Sequence, residues 1–212
     1  MKIAFLHTGQ MHVPTFDGIL SDLNFDGDVT HKVAADLLER AQTGGVEAIR
    51  ADTVNALMEL ADADAVLCTC STIGPSLESL PAGTDHILRI DRPAMEDACR
   101  IGPNPTIAIC LESTREPTLN LLHRVAADIG IEIAPKAMIC DGAWDYVEKG
   151  DFDGFANRIA KRVRETVAAD PDTHCVLLAQ ASMRRAAALL QDLPVPLLTT
   201  PEPAVRELLA TA

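Results

Sequence analysis

The chain has 212 residues and a formal net charge of −13, from 31 acidic and 18 basic side chains. That length supports one large or two small domains, with a core that needs no metal or disulfide. The acidic balance and an aromatic content of only 3% exclude a basic phosphate-binding face and a base-stacking platform, and they disfavour anionic membranes, so neither nucleic acid nor membrane is expected as a partner.

No apolar run approaches the ~20 residues needed to span a bilayer. The start, Met1-Lys2-Ile3-Ala4-Phe5-Leu6-His7, lacks the roughly 7–15-residue apolar core of a secretory signal and reads as an opening strand. A cytoplasmic location follows as the expectation, with the six cysteines as reduced thiols. Cys68, Cys99, Cys110, Cys140 and Cys175 lie in or beside apolar runs and read as small buried hydrophobes.

In chain order, strands are expected at 2–7, 64–69, 86–90, 105–111, 131–139, 174–179 and 195–198, with a weaker one near 28–32. Amphipathic helices are expected at 33–42, 46–62, 92–101, 115–129, 153–169 and 182–191, and a last one runs from Pro201 to Leu209 with Thr200 as its N-cap. The helical period is plain in 153–169, where Phe155, Ile159, Val163 and Val167 recur every four residues. Strands alternating with helices in this way imply βαβ units and parallel sheets, and continuous apolar runs such as Cys175-Val176-Leu177-Leu178-Ala179 suit strands covered on both faces. The fold class is therefore α/β, doubly wound, in two Rossmann-like lobes. Gly102-Pro103-Asn104-Pro105 cannot continue the helix before it and marks the lobe boundary, giving 1–101 plus 200–212 and 102–199.

In open α/β sheets ligands sit beyond the carboxyl ends of the strands. Four loops occupy that position: His7-Thr8-Gly9, Cys68-Thr69-Cys70-Ser71-Thr72, Leu111-Glu112-Ser113-Thr114 and Ala179-Gln180-Ala181-Ser182. Three of them end in small hydroxyl residues at an expected helix start, where such residues cap helices and also bind carboxylate oxygens. Cys70 falls between an apolar strand and an expected helix. A thiol at a helix N-terminus has a lowered pKa and can act as base or nucleophile, which makes Cys70 the catalytic candidate; a capping or buried thiol is the plainer alternative. Cys68 and Cys70 share a face but find no second ligand pair at a recognised spacing, so no metal site is assigned.

His7, ending the first strand, could polarise a ligand, orient a base or serve a structural bond, and His12, His31 and His123 have weaker claims. His86 and His174 open strands at the far end of the sheet. Asp91 and Arg92 read as an ion pair steadying the helix from Pro93, while Glu78 and Glu112 have no assigned role. No Walker-type loop and no Gly-X-Gly-X-X-Gly fingerprint is present, so nucleotide binding has no support.

The run Asp64-Ala65-Val66-Leu67-Cys68-Thr69-Cys70-Ser71-Thr72 resembles the first cysteine motif of the aspartate/glutamate/hydantoin racemase superfamily, in which an apolar strand leads into Cys-Asn-Thr. Leu178-Ala179-Gln180-Ala181-Ser182-Met183 resembles the second motif, and Thr114 with Glu116-Pro117-Thr118 resembles the Thr-rich loop that opens the second lobe. The resemblance implies two pseudo-symmetric lobes with the substrate cleft between them and no cofactor or metal. It implies that Thr8, Ser71, Thr72, Thr114, Ala181 and Ser182 hold the carboxylate of a small substrate through hydroxyls and backbone N–H groups. It also implies that two cysteines face each other across the substrate. Here Gln180 takes the second cysteine's place, and a carboxamide does not titrate near neutral pH, so a symmetric two-base racemase is not expected.

Single-cysteine relatives decarboxylate malonate derivatives, and maleate isomerases use a first-lobe cysteine as nucleophile where Cys70 stands. The expected activity is thus a cofactor-independent isomerase or lyase on a small carboxylic acid of amino acid, hydantoin, malonate or maleate type, with Cys70 as base or nucleophile and Gln180 hydrogen-bonding the substrate. A non-catalytic carboxylate sensor and a hydrolase using Cys70 with His7 are the alternatives. Relatives often dimerise, which makes a homodimer the expectation by resemblance.

Overall fold

The computed structural model describes residues 1–212. In chain order the elements are β1 (Lys2–His7), α1 (Val13–Asp22), β2 (Asp28–Val33), α2 (Ala35–Gly44), α3 (Arg50–Met58), β3 (Ala65–Cys68), β4 (Ile87–Arg89), α4 (Arg92–Ile101), β5 (Pro105–Ile109), α5 (Glu112–Asp128), β6 (Lys136–Ile139), α6 (Trp144–Glu148), α7 (Phe152–Ala169), β7 (Cys175–Leu178), β8 (Leu197–Thr199) and α8 (Pro201–Thr211). Short 3₁₀ segments occupy Gln10–His12, Val46–Ile49 and Gly74–Ser79, and a longer one Ala181–Leu190. The chain forms two units, Met1–Asp91 with Pro201–Ala212, and Arg92–Thr200.

The first unit holds a four-stranded parallel sheet in the order β2-β1-β3-β4. Ala4, Leu6, Val66 and Cys68 point to one face, where they pack with Leu37 and Ala41 of α2, Ile49, and Ala56 and Leu57 of α3. The other face is covered by α1 and α8. Alternate side chains of a strand leave on opposite faces, so a central strand covered on both sides is apolar at every position. That is why Ala65-Val66-Leu67-Cys68 is a continuous buried run. Edge strand β2, Asp-Val-Thr-His-Lys-Val, is exposed along much of its length and correspondingly polar.

The second unit repeats the pattern with β6-β5-β7-β8, again parallel throughout. Ala108, Met138, Val176 and Leu178 meet Phe155, Ile159 and Val163 of α7 together with Met183 and Ala186. Ile107, Ile109, Leu177 and Ala179 meet α4 through Met95 and Cys99, and α5 through Leu121, Leu122 and Val125. Helix α4 therefore belongs to this second core. The division falls at Asp91/Arg92, and the Gly102-Pro103 break is instead the short turn from α4 into β5. Gly102 is needed there for close approach, since a Cβ would stand 2.4 Å from the His174 ring.

Several elements differ from the sequence expectation for identifiable reasons. The apolar run at 131–139 pairs only over Lys136–Ile139, because Pro135 has no N–H for the ladder. The residues before it complete a Schellman stop on α5: Gly130 has φ +71°, and the N–H groups of Gly130 and Ile131 reach the carbonyls of Ala127 and Ala126. Helix α1 carries Pro14 in its first turn and Gly18 within it, which masks its period, yet it buries Phe16, Ile19 and Leu20. The Thr200 hydroxyl is buried without a partner and does not cap α8. A cap hydroxyl usually accepts from the second or third helical N–H, and Pro203 removes the third.

Candidate active site

In a 2-1-3-4 sheet the winding direction reverses between the first and third strands, and that switch point is where ligands bind in such folds. Here the reversals fall between β1 and β3 and, in the second unit, between β5 and β7. The loop after β1 carries Thr8, and the loop after β3 carries Cys70, Ser71 and Thr72. In the second unit Thr114 follows β5, while Gln180, Ala181 and Ser182 follow β7. The structure thus gathers the sequence-selected residues of each unit at its own switch point. Thr8, Ser71, Thr72, Thr114 and Ser182 are all buried, whereas Cys70 and Gln180 remain partly accessible. Of the six free cysteines, Cys70 alone is not buried.

The setting of Cys70 differs from the sequence expectation. Ser71, Thr72 and Ile73 form a turn, and the helix that follows is a six-residue 3₁₀ segment from Gly74 to Ser79. Cys70 is therefore not at the N-terminus of an α-helix, and the dipole argument for its activation does not apply. Its neighbour Cys68 is fully desolvated, which pushes that thiol up to about 12 and keeps it protonated. No group of three or more His, Cys, Asp or Glu side chains is arranged to hold a metal ion.

The turn packs over a buried ion pair. Arg89, at the end of β4, donates Nε to Asp91 Oδ1 at 3.0 Å and a terminal nitrogen to Oδ2 at 2.8 Å. Gly74 lies against this guanidinium: a Cβ there would be 2.8 Å from Arg89 Cζ. Asp91 thus pairs with Arg89, while Arg92 binds Glu96 and Asp128.

His7 is fully buried, with both ring nitrogens engaged. The Thr69 hydroxyl donates to the Leu6 carbonyl at 3.0 Å, so it accepts from His7 Nδ1–H at 2.8 Å. His7 Nε2 is then the acceptor, taking the Nδ1–H of His31 at 2.8 Å. His31 Nε2 lies 3.1 Å from Asp17 Oδ1 on α1. Phe5 stacks on His7 and on His31, and the His12 ring lies 6.2 Å from that of His7. Burial, aided by the adjacent His31 and His12, pushes His7 down to about 3, and burial pushes His12 down to about 4. His7 is therefore a neutral structural link that ties the end of β1 to Thr69 across the first switch point. It forms no dyad with Cys70, and the hydrolase alternative loses its base. Asp17 and the gathering of three histidines were not legible in the sequence, where these residues are 5 to 24 positions apart.

A matching tie crosses the second switch point. Gln180 Oε1 accepts the backbone N–H of Cys110 at 2.5 Å. With the oxygen so engaged, the carboxamide turns its two N–H donors away from that bond. Gln180 also starts the 3₁₀ segment, its carbonyl accepting from Met183 N–H at 2.9 Å.

Two successive parallel sheets of the same order, each with a polar switch point, define a two-lobed α/β fold, and solved structures of aspartate, glutamate and allantoin racemases share this fold. No protein-family model and no curated protein matches the sequence. Among solved structures, aspartate racemase of Picrophilus torridus is similar at 13% identity and a TM-score of 0.76, covering 100% of this chain and 94% of that one. Glutamate racemase isoform RacE1 of Bacillus anthracis matches at 13% identity and a TM-score of 0.75, covering 99% and 80%. Allantoin racemase of Klebsiella pneumoniae matches at 16% and 0.62, covering 99% and 86%. No helix of the chain is long and apolar enough to cross a membrane.

Proposed function

We propose that the protein is a cofactor-independent isomerase or lyase acting on a small carboxylic acid, with Cys70 as its thiolate base or nucleophile. The observation that carries this reading is the place of Cys70: it is the one thiol of six that is not buried, and it sits at a switch point of a fold shared with three kinds of racemase. Thr8, Ser71, Thr72, Thr114, Ala181 and Ser182 supply hydroxyl or N–H donors for a carboxylate. Gln180, with its oxygen held by Cys110 N–H, contributes N–H donors that stabilise an enolate or carboxylate oxygen. It has no proton to give or take near neutral pH, so carbanion chemistry is one-sided. Cys70 removes the α-proton and returns one to the same face, or protonates the carbanion left by loss of carbon dioxide.

The test is incubation in deuterated water with amino acids, hydantoins, substituted malonates and maleate, followed by proton NMR, with Cys70→Ser as control. Exchange without inversion, or decarboxylation, that disappears in Cys70→Ser supports the reading. Full activity in Cys70→Ser refutes it. The absence of a titratable group at Gln180 favours one other reading, a carboxylate sensor, which predicts ligand-induced thermal stabilisation with no turnover.

A further inference from the structure

The second unit holds a pair of thiols that the reaction above does not use. Ile109 and Ile139 are register partners in parallel strands β5 and β6, and Cys140 N–H donates to the Ile109 carbonyl at 2.8 Å. The ladder therefore runs one residue past both strand ends and sets Cys110 beside Cys140. Adjacent strands lie ~4.8 Å apart, inside the roughly 4.4–6.8 Å Cα separation that disulfides span. Both side chains enter the same apolar cluster with Ala108, Met138 and Val176, so they leave the sheet on one face. Beyond the strand ends the backbone is freer to adjust than within the ladder, for Cys140 leads into a turn closed by Ala143 N–H on the Cys140 carbonyl, with Gly142 at φ +70°.

We propose that Cys110 and Cys140 are a dithiol oxidation site, converted by a peroxide into an intrachain disulfide at the carboxyl edge of the second sheet. One sulfur, its proton lost to solvent, attacks a peroxide oxygen; the O–O bond breaks, and a sulfenic acid and hydroxide result. The second thiol, losing its proton, attacks the sulfenic sulfur, the S–O bond breaks, and hydroxide leaves. The two released protons convert the two hydroxides to water, so two thiols and one hydrogen peroxide give one disulfide and two waters. The two sulfurs together lose two electrons, which the peroxide gains. Because the neighbouring Cys140 thiol and burial push the Cys110 thiol well above its ordinary value, the reaction is slow and answers to sustained exposure. Cys110 N–H also holds Gln180, so the disulfide couples oxidation to a residue given a ligand role above; that coupling alone rests on the proposed function.

The site is tested on the folded full-length chain carrying Cys70→Ser, which removes the accessible thiol. The protein is held in hydrogen peroxide at neutral pH, quenched with an alkylating reagent and mapped by peptide mass spectrometry. The expected result is a Cys110–Cys140 crosslinked peptide, a loss of two mass units from the intact chain that a thiol reductant reverses, and a raised thermal midpoint. Adding Cys140→Ala should abolish the crosslink. The mapping in the Cys70→Ser chain stands even if the variant with Cys140→Ala added folds poorly. A crosslink at Cys99–Cys175, links only between chains, or a Cys110–Cys140 link only in urea would overturn the proposal. None of these readouts depends on turnover, so failure of the proposed activity leaves the result distinct.

Discussion

Acidification should destabilise the first unit well before its carboxylates titrate, because His7 and His12 are held neutral. An unfolded histidine takes up a proton near pH 6.5, whereas His7 in the folded chain does so only at about 3 and His12 at about 4. Between those values the unfolded state binds more protons than the folded one, so stability rises with pH through the window and is lost as pH falls. At pH 5 the unfolded state is 1.5 pH units below its histidine pKa, which makes the loss about 2 kcal/mol for each residue at 1.36 kcal/mol per unit. The two rings are neighbours, so ~4 kcal/mol is an upper value, set against a typical total of roughly 5–15 kcal/mol. Urea unfolding followed by far-UV circular dichroism at pH 7.5, 6.5, 5.5 and 5.0 measures this directly. His12→Phe removes one titrating ring and its unpartnered Nδ1, and it should flatten the pH dependence by about half. A stability that changes by less than about 0.5 kcal/mol between pH 7.5 and 5.0 would refute the assignment of His7 and His12 as buried neutral rings.

Three further perturbations follow from the geometry around Cys70. Gly74→Ala places a methyl 2.8 Å from Arg89 Cζ, against a guanidinium that Asp91 holds in place, and should cost about 1–3 kcal/mol, read as a lowered thermal midpoint. Asp91→Ala strands the Arg89 charge, whose side chain is only 10% exposed. Breaking such a pair costs about 3–5 kcal/mol, so denaturant unfolding should show a loss far larger than for Arg40→Ala, which removes the surface ion pairs of α2's Arg40 with Asp36 and Asp52. Brief treatment of the native protein with iodoacetamide should add one carbamidomethyl group, at Cys70, since the other five cysteines are buried; intact-mass measurement would expose rapid labelling of any other.

Much of the fold was legible because it is written in local periodicity. The four-residue spacing in 153–169 became α7, and the unbroken apolar runs at 65–68 and 175–178 became the central strands of the two sheets. Such runs occur only where both faces are covered, so the doubly wound layering could be inferred without coordinates. The order of small polar residues after apolar strands was likewise visible, and it placed Cys70, Thr114 and Gln180 at strand ends. The path of α4 was not legible, because Met95 and Cys99 would suit either sheet and only the packing chose the second. Nor could the setting of Cys70 be read. Ser71-Thr72-Ile73 has the composition of a helix start, yet the chain turns there to lay Gly74 on the Arg89 guanidinium.

By itself, then, the sequence determined most of the element types, the parallel sheets and the identity of the accessible-thiol loop, all of which depend on residues within a few positions of one another. Only the tertiary structure decided which distant side chains meet. It brought His7 onto Thr69 and His31, Gln180 onto the Cys110 N–H, and Cys110 beside Cys140. Each of these contacts is made across neighbouring strands, where adjacency is set by sheet order and register. Those are properties of the whole packed sheet, and no local pattern in a single strand encodes its neighbour.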